Sequence, residues 1–338
     1  MPLPSFDALK KESRTLHHEA LVVDGHCDTV LALVSGQRKL GERARKGHID
    51  LPRLRDGGVN AQVFALYIEA DYKPDRSLPR LIEQLDVFLE AVDACSDQIA
   101  VVKTVADILR FKDEGKVGAI IGIEGGEALG GSIAALRIFY RLGVRLIGLT
   151  WNQRNDLADG VDEARTGGGL TNFGVTVVKE MNRLGMVVDV SHLSDASFWH
   201  VLQTSGQPVV ASHSNCRRLC PHPRNLGDDQ ILALADNGGV MGMNFFPPFL
   251  DSRRATLDHV MHHVEHVLDL VGPDHVALGT DFDGIEDTPV GLEDVTRLPD
   301  LTTRMMRRGY SEEVIHKILG GNYLRVFSQV WAAGSDRR

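Results

Sequence analysis

Apolar residues recur along the chain in short runs rich in Val, Ile and Leu. Each run is followed by a longer stretch in which apolar positions return every three or four residues. The runs fall at 21–24, 61–68, 118–123, 144–149, 186–190, 208–211, 240–244 and 275–279. The amphipathic stretches predict helices over 78–95, 133–142, 173–184, 195–202, 228–235 and 256–271, and a helical tail over 311–319 and 322–331. Gly143, Gly185 and Gly272 stand where helix C-caps belong. Strands alternating with helices predict a parallel sheet. Eight repeats predict an α/β fold, a (β/α)8 TIM-type barrel with a C-terminal helical extension, over residues 1–338 as a single domain. The second repeat is the least regular, because a long excursion separates 61–68 from the next run.

Composition narrows the function classes. At 43% hydrophobic and 25% charged residues, the chain can bury a large core. A net charge of −9 without any Lys/Arg cluster argues against nucleic acid as a partner. Four cysteines (Cys27, Cys95, Cys216, Cys220) suit a reducing compartment better than a disulfide framework. The first 20 residues lack the continuous apolar core of a signal peptide, and the C-terminal residues carry no lipid-anchor pattern. The expectation is a cytoplasmic protein without a membrane anchor. The oligomeric state, a homodimer included, stays open.

In such barrels the chemistry gathers at the C-terminal ends of the strands. The first run ends in Asp24-Gly-His26-Cys-Asp28, the third in Glu124-Gly-Gly, the fifth in Asp189-Val-Ser-His192, the sixth in Ser212-His213-Ser, and the eighth in Asp281-Phe-Asp283-Gly. Residues two apart in a strand share a face, so His26 and Asp28 can chelate one ion while Cys27 faces away. Imidazole with carboxylate suits zinc or a similar divalent ion. Glu124 has two oxygens and can bridge to a second ion held by His192 and His213. Two divalent ions would balance Asp28, Glu124, Asp281 and a bridging hydroxide, leaving a pocket with no net charge. Asp24 and Asp189 read as supporting or capping groups.

With these residues in place, the chain resembles the membrane (renal) dipeptidase family of zinc peptidases. The resemblance runs from Val22-Val-Asp-Gly-His26-Cys-Asp28 to Gly321-Asn-Tyr-Leu-Arg-Val-Phe327, and is most specific at Gly279-Thr-Asp281-Phe-Asp283-Gly284 followed by Gly291-Leu-Glu-Asp294. It implies dipeptide hydrolysis, including L-Xaa-D-Xaa forms, by a hydroxide bridging two zinc ions. His26 and Asp28 would hold one ion, His192 and His213 the other, and Glu124 both. It implies Asp281 as the acid/base carboxylate, although the sequence itself does not choose between Asp281 and Asp283. It also implies that Arg224 holds the substrate's terminal carboxylate, a task suited to a bidentate fork. Two positions depart from the family pattern: Trp151 stands where well-known members have His, and Phe246 where animal enzymes have Tyr. Trp151 would still line the substrate, but an indole cannot become a cation.

Other motifs compete with this set. His262-x-x-Glu265-His266 fits an inverted zinc-peptidase pattern, but Val260, Val264, Val267 and Leu268 give that helix a packing stripe. Cys216, Cys220 and His222 lack the second Cys pair of a zinc ribbon. Gly130-Gly131 and Gly167-Gly-Gly169 lack the residues of a phosphate loop. Glu127 could face the pocket or solvent. Two other functions remain in view. A lyase or isomerase of phosphorylated sugars would need a phosphate site near the last strands, a rim that Asp281, Asp283 and Asp287 make acidic. A metal-binding relative with altered substrate or lost activity, acting as a binding protein, would account for Trp151.

Overall fold

The computed structural model describes residues 6–335; readings that touch residues 1–5 and 336–338 lie outside it. Nine strands form one parallel sheet: β1 (Val23–Cys27), β2 (Ala61–Tyr67), β3 (Ile99–Val101), β4 (Val117–Glu124), β5 (Val144–Gly148), β6 (Val187–Asp189), β7 (Val210–Ser214), β8 (Val240–Met243) and β9 (Val276–Leu278). β1 pairs with both β2 and β9, and β2 pairs with β4, so eight strands close a (β/α)8 barrel. β3 is the additional strand. It pairs with the first residues of β4, and β5 takes over that edge from Ile121 onward.

The long excursion of the second repeat is therefore structured. It holds helix Ser77–Ala94, then β3, then helix Val105–Asp113. The strand is three residues long and lies outside the eight runs. Helices Phe6–Glu19, Thr29–Val34, Leu51–Asp56 and Leu298–Arg307 also add to the expected set. The two tail segments are one continuous rod, in which Glu312–His316 passes through a π-helical turn, Lys317–Gly321, into Asn322–Ser335. Among the described residues no helix is long and apolar enough to cross a membrane.

Parallel strands covered by helices are buried on both faces, which is why they read as unbroken apolar runs. One apolar layer lies between barrel and helices, where Cys27 packs. The other fills the barrel and continues into the final helix. Tyr323, Phe327 and Trp331 stack along that helix, with ring centroids 5.4 and 4.6 Å apart, and cover the N-terminal end of the barrel. Tyr323 enters the interior and donates its hydroxyl to the Ser212 carbonyl at 3.2 Å. Glycine makes room for it: a Cβ on Gly25 or Gly242 would lie 1.9 or 2.5 Å from that hydroxyl. The plug thus fixes the backbone one residue before His213.

Candidate active site

Five strand ends meet at the opposite, C-terminal mouth. His26 Nε2 lies 3.2 Å from Asp28 Oδ2, 3.7 Å from Glu124 Oε2 and 3.9 Å from Asp281 Oδ1. The other Glu124 oxygen, Oε1, lies 2.9 Å from His192 Nε2 and 3.6 Å from His213 Nε2. Two of the groups able to hold a metal ion, His26/Asp28/Glu124 and Glu124/His192/His213, share Glu124; a third joins His26, His213 and Asp281. Among the described residues such groups occur nowhere else.

Local backbone geometry aims these side chains. Glu124 ends β4, and the chain turns away at Gly125 with φ 90°, a conformation that favours glycine. His192 and Asp281 hold positive φ values of 68° and 62°, unusual for residues with a Cβ and a mark of strain at a site. Asp281 is held by its amide on the His26 carbonyl (3.2 Å) and by Asn244 Nδ2, which donates to its Oδ2 at 2.9 Å.

Neighbouring groups orient the imidazoles. Ser212 Oγ donates to Asp189 Oδ2 at 2.5 Å, so its lone pair accepts the Nδ1–H of His213 at 2.7 Å. His192 Nδ1 meets Asn152 Oδ1 at 2.7 Å. Both Nε2 atoms are thereby left as lone pairs, and they face each other at 2.8 Å beside Glu124 Oε1. Three acceptors crowded together repel unless a cation lies among them. Asp189 also accepts the amides of Ser191 and Ser212, and Asp24 accepts Thr280 through amide and hydroxyl, so both serve as supports.

Titration behaviour agrees with a site built for positive charge. Burial opposes a charge on His26, but the carboxylates of Glu124, Asp28 and Asp281 outweigh it and raise its pKa to about 10. Burial, with Asp28 beside it, pushes Glu124 well above the usual carboxylate range. Burial also lifts Asp281 to about 7, against the pull of His26. Burial holds His192 and His213 neutral, the form that coordinates a metal. Asp28 Oδ1 is buried without any hydrogen-bond partner. The donor set fits divalent cations.

Asp283, which the sequence leaves level with Asp281, points elsewhere. It accepts Arg38 at 2.7 Å, Thr29 Oγ1 at 2.7 Å and the His48 amide at 2.6 Å, tying the 35–50 loop to the barrel. The competing motifs also have structural partners. His263 accepts the Cys216 amide, His266 pairs with Asp228 at 2.7 Å, and Glu265 pairs with Arg308 at 2.5 Å. All four cysteines are free. Glu127 is neither in the pocket lining nor exposed: it is buried against Lys73 at 3.2 Å.

A cavity of about 460 Å³ opens over the cluster, within the size range of small-molecule sites. Trp151, Phe246, Phe249, Tyr67 and Arg224 line it. The Arg224 guanidinium is buried, lies 5.5 Å from the Phe249 ring, and has an Nε without a partner. Burial lowers its pKa to about 10 even with Asp281 and Glu124 nearby, so it stays charged at neutral pH. Sequence reasoning missed Tyr67, Asn152 and Asn244 as site residues. Their strand-end positions were the available signal.

Comparison with known proteins agrees with this picture. Residues 10–337 match the profile of the membrane dipeptidase family, peptidase family M19. The dipeptidase verJ of Clonostachys rogersoniana is 37% identical over 300 residues, covering 85% of this chain and 76% of its own. A metallopeptidase from Rhodobacter sphaeroides, solved with a phosphinate mimic of the dipeptide L-Ala-D-Ala, superposes with a TM-score of 0.87 at 30% identity, covering 92% of this chain and 99% of that one. The solved dipeptidase AC of family M19 gives a TM-score of 0.87 at 32% identity, with the same coverage of both chains. The chain belongs to the membrane dipeptidase family, peptidase family M19, and is a metal-dependent peptidase of that family.

Proposed function

We propose that the chain, acting as one domain, hydrolyses dipeptides with two divalent ions, zinc foremost, at the barrel mouth. His26 and Asp28 would hold one ion, His192 and His213 the other, and Glu124 both. The observation that carries this reading is Glu124 itself, with one oxygen toward His26 and the other 2.9 Å from His192. Ions bound there acidify a water and polarise the scissile carbonyl.

The chain's own residues do the rest. Arg224 receives the substrate's terminal carboxylate, which supplies acceptors for its unpaired Nε and fixes the distance from that end to the scissile bond. Asp281 takes a proton from the attacking water and gives it to the leaving nitrogen as the C–N bond breaks, yielding a carboxylate and an amine. Asn244 keeps its carboxylate aimed during both transfers. Trp151, 5.8 Å from the His192 ring and 5.3 Å from Tyr67, forms the apolar wall beside the scissile bond. A D-residue at the C-terminal position is included, in line with the L-Ala-D-Ala mimic bound by the Rhodobacter relative.

The test is metal analysis of the purified protein together with hydrolysis of L-L and L-D dipeptides, with and without chelator. Two ions per chain and chelator-sensitive cleavage are expected. Two ions with no cleavage would leave a binding protein, and a chain that binds no metal would end the proposal.

A further inference from the structure

His222 lines the active-site cavity but takes no part in the chemistry proposed above. Two aromatic groups line the same cavity. Trp151 and Tyr67, with ring centroids 5.3 Å apart, stand beside His192. Phe249 belongs to the second group, its ring 4.4 Å from that of His222, 4.8 Å from that of Phe246 and 5.5 Å from the Arg224 guanidinium carbon. A dipeptide whose terminal carboxylate reaches Arg224 lays its C-terminal residue against this second group.

One edge of the His222 ring is committed to the turn that carries Arg224. The Arg224 amide donates to His222 Nδ1 at 3.1 Å, and the Asn225 amide donates to the His222 carbonyl at 3.0 Å. Nδ1 is therefore an acceptor, and in the neutral ring the proton sits on Nε2. Burial, with the Arg224 guanidinium beside it, lowers the pKa of His222 and keeps the ring neutral at pH 7. The Nε2–H has no hydrogen-bond partner among the described residues, and it is not sealed from solvent. The turn needs only an acceptor at the Nδ1 position, which asparagine would supply equally well. The donor on the opposite edge is surplus to it.

Depth decides which part of a substrate meets that donor. Arg224 is 5% exposed, whereas His222 is half-buried between the exposed Pro221 and Pro223. The carboxylate must pass beyond the His222 ring to reach the guanidinium, so the side chain on the same Cα stays level with the ring. We propose that His222 sets specificity for the C-terminal residue of the dipeptide, its Nε2–H donating to a side chain that carries a hydrogen-bond acceptor, as in Asn or Asp. This rests on the peptidase reading and on Arg224 as the carboxylate site. An isosteric side chain without an acceptor is penalised, because it covers the N–H and leaves it unpaired.

The test compares turnover of L-Ala-Asn and L-Ala-Leu, nearly equal in shape at the C-terminal residue, by the metal-loaded enzyme. Both are used in the C-terminal configuration in which L-Ala-Ala is cleaved faster. The kcat/KM ratio is expected to favour Asn by about fivefold to tenfold. His222→Asn keeps an acceptor for the Arg224 amide but is too short to place a donor where Nε2 lies, so its ratio should fall to near one. His222→Gln, which can carry an amide N–H to that place, should retain part of the preference. A ratio of two substrates is unaffected by a general loss of folded or active protein. The proposal is overturned if the unsubstituted enzyme does not prefer Asn, or if the Asn and Gln variants give the same ratio. It is equally overturned if His222→Asn keeps the preference; a common loss on both substrates would then place His222 on the terminal carboxylate instead. No cleavage of L-Ala-Ala in either configuration would overturn the peptidase reading and this inference with it.

Discussion

The carboxylate of Asp283 accepts the guanidinium of Arg38 at 2.7 Å, deep enough that only 2% of the Asp283 side chain is exposed. Asp281, two residues earlier, carries its carboxylate toward His26 instead. One acid anchors a loop and the other joins the cluster at the barrel mouth. Asp281→Asn should keep the metal content and the fold but lower turnover by about 10²–10⁴-fold, since it removes a proton carrier. Asp283→Asn should do the reverse, retaining much of the turnover per folded molecule while costing about 3–5 kcal/mol of stability, because Arg38 is left buried without its partner. Denaturant midpoints and turnover measured on both variants check the pair. Near-normal turnover in Asp281→Asn would show the assignment to be wrong.

Ser212 makes no contact with substrate in this scheme, yet it fixes the tautomer of His213 by passing a hydrogen bond to Asp189. Ser212→Ala should lower metal affinity by about 10–100-fold with the fold intact. His213→Ala should lower occupancy of one ion and activity together. Competition with a chromogenic chelator measures both. Full occupancy of both ions in His213→Ala would remove it from the ligand set.

Much of this site was legible because barrels expose strand ends, and strand ends here are written in His, Asp and Glu. Buried parallel strands read as apolar runs, so His26, Glu124 and His213 could be placed at the ends of runs before any coordinates. What stayed illegible arises from partners distant in sequence. Asn152 and Asn244 do not titrate, and they matter only because folding brings them to His192 and Asp281. Asp283 and Asp281 look equivalent at a spacing of two, but positive φ at both residues breaks the strand alternation on which that equivalence rests. β3 escaped because it pairs only with the first residues of β4 and stands outside the eightfold strand–helix alternation.

The glycines inside the barrel are set by the plug beneath the site. A Cβ on Gly25 would lie 1.9 Å from the Tyr323 hydroxyl, with the ring carbon behind it at 2.5 Å. Gly25→Ala should therefore destabilise by about 1–3 kcal/mol or more through overpacking. Tyr323→Phe, which loses only the hydrogen bond to Ser212, should cost about 1 kcal/mol. Because phenylalanine also removes the nearest clashing atom, the double variant should be less destabilised than the sum of the two. Additive losses in denaturant melts would mean the clash is relieved by some other movement.

Two buried histidines outside the metal-competent groups should make the fold acid-sensitive. His17 is fixed between the Thr302 hydroxyl at 2.7 Å and the Gly57 carbonyl at 2.8 Å, and burial lowers its pKa to about 4. His263 accepts the Cys216 amide at 3.0 Å, and burial lowers it likewise to about 4. An unfolded histidine titrates near 6.5, so between about pH 6.5 and 4 the unfolded chain binds more protons than the folded one. Stability therefore rises with pH across that window. It is complete above about 6.5, falls as pH drops toward 4, and levels off below, with each residue contributing on the order of 3 kcal/mol. His17→Gln cannot titrate, so although it is less stable at pH 7, its loss of stability between pH 7 and 4 should be shallower than that of the unsubstituted chain. Acid release of metal affects both proteins alike and cancels in that comparison. Urea midpoints at pH 7, 6, 5 and 4 give the two slopes, and parallel slopes would show that His17 is not held neutral in the folded protein.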